Sequence, residues 1–190
     1  MKNWKTQLFN IPNMLSMFRL VLIPIYIEIY LQATEPAHYY VSGGILAVSC
    51  LTDMVDGKIA RHFNMVTNVG KLLDPIADKF TQLALVACLS IRHRVLRPVL
   101  LVFLTKEFFQ FFAAWFNFRR GKVLNGALMA GKICTAVLFI SFTILVLFPN
   151  LSTTTVTLFA LVDILFMSIA FIQYIFAFFG KHTKLQDFEQ

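Results

Sequence analysis

Charge is what this sequence has least of. Asp, Glu, Lys and Arg make up 14% of its 190 residues, where a soluble domain carries about 25%. Acids are scarcer than bases, 10 against 17, which leaves a formal net charge of +7. Such a balance excludes an ordinary soluble domain. It does not point to nucleic acid, because in a chain this apolar a basic excess reports anchoring on the cytoplasmic side and attraction to anionic lipid. Cysteine is also rare. Cys50, Cys88 and Cys134 each stand alone inside an apolar run, which excludes a disulfide framework and a Cys/His zinc site. The histidines at 38, 62, 93 and 182 show no ligand spacing, so no metal role falls to them. No internal repeat or low-complexity segment stands out. A cleaved signal peptide is not expected, since the first apolar run contains Arg19 and Pro24 and lacks a small-residue cleavage site.

What the sequence does have is long apolar runs. Hydrophobic residues make up 58% of it, in stretches near the roughly 20 residues needed to cross a bilayer. The pattern predicts an all-α integral membrane protein with six transmembrane helices, at roughly 14–31, 39–60, 70–91, 95–118, 126–148 and 156–179. A short amino-terminal amphipathic segment precedes them, where Lys2, Trp4, Lys5, Leu8 and Phe9 suit the cytoplasmic surface. One membrane domain, 1–190, is expected. Most Lys and Arg near span ends fall on one side: Lys2, Lys5, Arg19, Lys58, Arg61, Lys71, Lys79, Arg119, Arg120, Lys122, Lys132, Lys181 and Lys184. That majority places both termini in the cytoplasm, although Arg92, Arg94 and Arg97 in an outer loop run against it. The expected location is a multi-pass position in the cell membrane. Trp4 and Trp115 read as interface residues, and Phe, with 21 copies, as lipid-facing bulk.

Against this background one stretch is anomalous. Asp53, Asp56, Asp74 and Asp78 put four acids into 26 residues of an otherwise apolar chain. Acids within or beside membrane helices are costly and mark functional sites. At about 100° per residue, Asp53, Asp56, Gly57, Ala60 and Arg61 share one face of the second helix. Gly70, Asp74, Ala77 and Asp78 share one face of the third. An eight-residue connection between Arg61 and Gly70 brings the faces together, so four carboxylates point into one crevice at the inner membrane boundary. They repel one another unless a cation compensates. All-oxygen donors select hard ions, so one or two Mg²⁺ or Mn²⁺ ions are expected, with Ca²⁺ as competitor. Two such ions suit phosphoryl transfer. Gly57, Ala60, Gly70 and Ala77 clear space for a headgroup, and Arg61 can pair with a phosphate. Pro75, read as lying in the first turn of the third helix, leaves that helix's positive end facing the same place. A diphosphate-linked lipid is the implied substrate. The purely structural alternative is salt bridging of these acids by Lys58, Arg61, Lys71 and Lys79. Four acids at these spacings, with small residues between them, favour the site.

The full pattern Asp53-x2-Asp56-Gly57-x2-Ala60-Arg61-x8-Gly70-x3-Asp74-x3-Asp78 resembles the signature of the CDP-alcohol phosphatidyltransferase family at every position. The opening Asn10-Ile11-Pro12-Asn13-Met14-Leu15-Ser16-Met17-Phe18-Arg19 resembles that of the family's phosphatidylglycerophosphate and cardiolipin synthases. The resemblance implies attack by an acceptor alcohol on CDP-diacylglycerol with release of CMP. It implies that Asp53, Asp56 and Asp74 hold metal. Asp78 would be the general base, with a further role toward metal, and Gly57, Ala60, Arg61 and Gly70 would line the CDP-lipid site. It also suggests a homodimer.

The acceptor is less well marked. In the fourth span Lys106-Glu107 stands where the phosphatidylglycerophosphate synthases tend to have Arg-Glu, and Phe112-Ala113-Ala114 replaces their later Leu-Arg. Gly131-Lys132-x2-Thr135 in the fifth span resembles the family's Gly-Lys-x2-Thr. The resemblance therefore nominates Lys106, Lys132 and Arg119 to hold an acceptor phosphate, with glycerol 3-phosphate as the leading acceptor and phosphatidylglycerol as the rival. Each has a plainer reading: Lys106 can neutralise Glu107, and Arg119, Arg120 and Lys122 can be membrane anchors. Asn13 and Ser16 either pack the first helix or border the nucleotide. Glu28 and Asp163 receive no role. From another class, a cation transporter would use the acids as an ion pathway. It would need polar residues continuing through several spans, whereas these acids gather at one edge.

Overall fold

A computed structural model of the chain describes residues 10–62, 67, 70–119, 122–124, 129–179 and 185–187. Six long helices account for most of them. α1 runs Ile11–Leu31, α2 Pro36–His62, α3 Gly70–Arg92, α4 Arg97–Arg119, α5 Met129–Leu147 and α6 Thr153–Phe179. A 3₁₀ turn at Arg94–Leu96 joins α3 to α4. Each expected span has its helix, with ends shifted by a few residues. Among the described residues, four segments are long and apolar enough to cross a membrane: Pro12–Leu31, Arg94–Phe116, Met129–Leu147 and Thr153–Ala177. The 21 residues of α1, at 1.5 Å each, reach about 31 Å, close to the hydrocarbon thickness. α2 and α3, which carry the acid motif, are not among these four.

Two features depart from the expected plan. Residues 122–124 and 185–187 form β1 and β2, an antiparallel ribbon pairing Lys122 with Asp187, Val123 with Gln186 and Leu124 with Leu185. Pairing satisfies backbone groups that a bare loop or tail leaves to solvent. Pro75 is also farther along its helix than expected: it lies five residues past Gly70, inside α3 rather than in its first turn. There its missing N–H leaves the Lys71 carbonyl without its usual helical donor. The amino-terminal amphipathic segment, residues 1–9, lies outside the described residues.

The chain packs as two units. The first takes residues 1–89 and 143–150, the second residues 90–142 and 151–190.

In the first unit, α1 shows an inside-out pattern. Asn13, Ser16 and Arg19 are buried, while Met14, Met17, Phe18, Val21 and Ile25 are exposed. Positions three apart fall on one face of a helix, so a polar stripe faces the interior and apolar side chains face outward, as a bilayer demands. Farther along α1 the buried face turns aromatic. Tyr26 stacks on Tyr30 with ring centroids 5.6 Å apart, and Tyr30 meets Tyr39 of α2 edge-on at 5.6 Å. The Tyr39 hydroxyl donates to the Ala33 carbonyl at 2.9 Å, which closes the α1–α2 turn. From α3, Ala77, Leu85, Val86 and Leu89 complete this core.

In the second unit, Leu96, Val99, Phe103, Cys134, Leu138, Phe142, Val156 and Met167 are buried. Phe109 of α4 and Phe171 of α6 pack edge to face at 5.1 Å. The Ser90 hydroxyl donates to the Leu96 carbonyl at 3.1 Å and pins the turn between α3 and α4.

Candidate functional site

The site is built in the first unit from three helices. α2 supplies Asp53 and Asp56, three residues apart and so on neighbouring positions of one face. α3 supplies Asp74 and Asp78, four apart. The start of α3 is fixed against α1: Thr67 Oγ1 accepts from the Gly70 N–H at 3.0 Å, a serine/threonine cap. Asn13 Nδ2 of α1 donates to the same Thr67 oxygen at 3.0 Å. Gly70 is required by this contact, since a Cβ there would lie 2.5 Å from Asn13 Oδ1. The polar stripe of α1 thereby sits against both acid-bearing helices.

The centre of the cluster is Arg19. Its Nη1 lies 2.5 Å from Asp53 Oδ1 and 2.6 Å from Asp78 Oδ1. Its Nη2 lies 3.0 Å from Asp56 Oδ2 and 3.9 Å from Asp74 Oδ1. Ser16 contributes a hydroxyl that contacts Asp74 Oδ1, lies 3.5 Å from Asp56 Oδ2 and reaches the Pro12 carbonyl at 3.1 Å. Arg19 is 2% exposed and the Asp56 side chain 4%. The carboxyls of Asp53, Asp74 and Asp78 are about half open, at 47%, 44% and 48%. The result is a crevice with a buried floor, Arg19 and Asp56, and three accessible acids around it.

The four expected acids are thus brought together, and by a residue assigned only to inner-end charge. Arg19 was missed as a member of the site, and Ser16 was expected there only as a neighbour of the nucleotide. The signal for them was available: Asn13, Ser16 and Arg19 recur every three residues in an apolar helix. Gly57 is half-buried on α2 beside Asp56. Ala60 and Arg61 lie in the last turn of α2, with side chains outside the described set.

The donor chemistry suits a hard cation: four carboxylates and a hydroxyl, all oxygen. The guanidinium lodged among them shows that the cluster demands positive charge. With the guanidinium there, no three Asp, Glu, His or Cys side chains among the described residues converge as metal ligands.

The three residues nominated for the acceptor all belong to the second unit. Lys106 is buried, with its Nζ 2.5 Å from Glu107 Oε1 and 5.9 Å from the centroid of the Phe103 ring. This is the contact that the plainer reading of Lys106 expects. Lys132 is exposed on the first turn of α5. Its neighbour Gly131 is held to glycine by packing, since a Cβ would meet Tyr174 Oη at 2.8 Å. Arg119 is exposed at the end of α4, its guanidinium carbon 5.5 Å from the centroid of the Trp115 ring. That contact suits an interfacial anchor. Asp163 is fully buried and accepts from the Ser141 hydroxyl at 2.8 Å.

Comparison with known proteins gives the family. The family model for CDP-alcohol phosphatidyltransferase matches residues 9–179. The chain belongs to the CDP-alcohol phosphatidyltransferase family. All three helices of the cluster fall inside the matched span. Among its relatives are proteins named CDP-diacylglycerol--glycerol-3-phosphate 3-phosphatidyltransferase. That of Bacillus subtilis (strain 168) is 37% identical over 83 residues, covering 38% of this chain and 43% of the relative. That of Escherichia coli (strain K12) is 42% identical over 72 residues, covering 37% of this chain and 38% of the relative. That of Salmonella typhimurium (strain LT2) is 41% identical over 71 residues, with the same two shares. In each case the match spans less than half of the relative's own length.

Proposed function

We propose that this phosphatidyltransferase moves a phosphatidyl group from CDP-diacylglycerol to glycerol 3-phosphate and releases CMP. The observation that carries the reading is the gathering of Asp53, Asp56, Asp74 and Asp78 around one crevice in a member of this family. The names of the relatives support the acceptor.

Asp53, Asp56 and Asp74, with a further oxygen from Asp78, would hold Mg²⁺ or Mn²⁺, two ions in all. The bound ions would supply neutralisation of the diphosphate charge. The reaction itself is a substitution at phosphorus. The acceptor hydroxyl oxygen forms a bond to the diacylglycerol-bearing phosphorus, the bond from that phosphorus to the CMP oxygen breaks, and the hydroxyl proton passes to a base. Asp78 is that base. Its carboxyl stands half open at the rim of the crevice, where an acceptor hydroxyl can come within hydrogen-bond reach. Gly57, Ala60, Arg61 and Gly70 line the CDP-lipid side. Lys132 and Arg119, both exposed, take the acceptor phosphate, and Lys106 can join them only by exchanging its contact with Glu107.

The setting belongs to the same proposal: six spans forming a single membrane domain in the cell membrane, with the acid crevice on the cytoplasmic side and a homodimer as the working form. The deciding experiment incubates purified protein with CDP-diacylglycerol, Mg²⁺ and a panel of acceptors. CMP release is expected with glycerol 3-phosphate. Release with phosphatidylglycerol instead would make the chain a cardiolipin synthase, and release with no acceptor would defeat the enzymatic reading and favour cation transport.

A further inference from the structure

Arg19 takes part in none of the chemistry just described, yet it occupies the middle of the site. We propose that Arg19 is the chain's own competitor for the divalent cation, a positioning residue that holds the four acids together without an ion and must withdraw for an ion to bind. The inference rests on the cation-binding reading of the acids given above.

Three observations carry it. First, the contacts are with the oxygens a cation would need. The two Nη atoms reach Asp53 Oδ1, Asp78 Oδ1 and Asp56 Oδ2 within 3.0 Å and Asp74 Oδ1 at 3.9 Å. A structural arginine is satisfied by one bidentate carboxylate, whereas this one is spread over four acids from two helices. A dication drawn to the same oxygens would sit within a few ångströms of a guanidinium that cannot lose its proton, and their repulsion is strong at the effective dielectric of a protein interior. Second, the guanidinium is incompletely satisfied where it stands. Its Nε is buried with no hydrogen-bond partner among the described residues, a costly state for a charged donor. Third, an unused acceptor lies close by. The Tyr26 hydroxyl, which with Arg19 lines a small and mostly apolar cavity, is buried and also lacks a partner among the described residues.

The arrangement has a use. Four clustered acids with no counter-ion would repel and splay the ends of α2 and α3. Arg19 keeps them in place and sets how tightly an ion must bind to displace it.

The test measures ion binding, not turnover. Mn²⁺ affinity is read by electron paramagnetic resonance on the full chain in detergent, wild type against Arg19→Gln. The variant is expected to bind Mn²⁺ more tightly by on the order of tenfold or more. Its melting temperature is expected to drop without Mn²⁺ and to recover most of the difference when Mn²⁺ is added. If the wild type binds Mn²⁺ and Arg19→Gln binds it equally or more weakly, Arg19 is not a competitor and the inference fails while the cation site stands. If neither protein binds Mn²⁺, the cation site itself falls and the inference with it. The wild type offers an independent readout should the glutamine variant not fold. The ¹⁵Nε resonance of Arg19, assigned by its loss in Arg19→Lys, is expected to shift on Mg²⁺ titration. A resonance that stays fixed while calorimetry records Mg²⁺ binding overturns the proposal.

Discussion

Two clusters of buried charge in this chain are built on opposite plans. In the second unit, Lys106 and Glu107 are adjacent in sequence and paired at 2.5 Å. In the first, four acids from two helices converge on Arg19 from a third. The first plan sets one base against one acid. The second sets, among the described side chains, one arginine contact against four acids, with three of the four carboxyls half open. A balanced buried pair is what a membrane bundle needs for its own structure. An unbalanced, accessible cluster is what a site for cations and phosphates needs. The difference lies in stoichiometry and exposure, not in how many charged residues are buried.

Substitutions in the two clusters should therefore fail in different ways. Asp78→Asn removes the proposed base while keeping the side chain's shape. It is expected to cut CMP release by on the order of 10²–10⁴-fold and to leave CDP-lipid binding largely intact by direct binding assay. Unchanged release would remove Asp78 from the chemistry. Glu107→Gln should do the reverse. It leaves the Lys106 ammonium buried without a counter-charge and is expected to cost on the order of 3–5 kcal/mol, read as a drop in thermal unfolding temperature in detergent. A variant as stable as wild type would show that this pair is no structural element. Gly70→Ala probes the seat of α3 on α1 beside the crevice. Its Cβ would press on Asn13 Oδ1, and overpacking of this kind costs roughly 1–3 kcal/mol. An Asn13→Ala partner is expected to relieve part of the cost, and no relief would mean that the contact is not the cause. Lys132→Ala should have the smallest effect: a several-fold rise in the acceptor's apparent KM with the CDP-lipid's KM unmoved. Equal changes in both would place Lys132 outside the acceptor site.

The sequence made these two plans legible to different degrees. Helix count and register were readable because apolar runs near bilayer length and period-3.6 spacing are local properties. Spacing alone also put Asp53 with Asp56 and Asp74 with Asp78 on shared faces. Lys106 with Glu107 was readable as a pair because the residues are neighbours. Arg19 was not readable as the hub, since its partners lie 34 to 59 positions along the chain and only packing brings it to them. Residues 122–124 and 185–187 escaped notice for the same reason: three-residue strands paired across 61 to 65 positions carry no periodic signal. Pro75 misled because proline often marks the first turn of a helix, and here the helix begins five residues earlier, at Gly70.

If the acid cluster binds divalent cations for phosphatidyl transfer, CMP release from CDP-diacylglycerol and glycerol 3-phosphate by the purified chain depends on them. Measured before and after chelation, for wild type and Asp56→Asn, release is expected to vanish with the chelator, to return with Mg²⁺ or Mn²⁺, and not to be restored by either ion in Asp56→Asn. Release that survives chelation, or an Asp56→Asn variant as active as wild type, would contradict it.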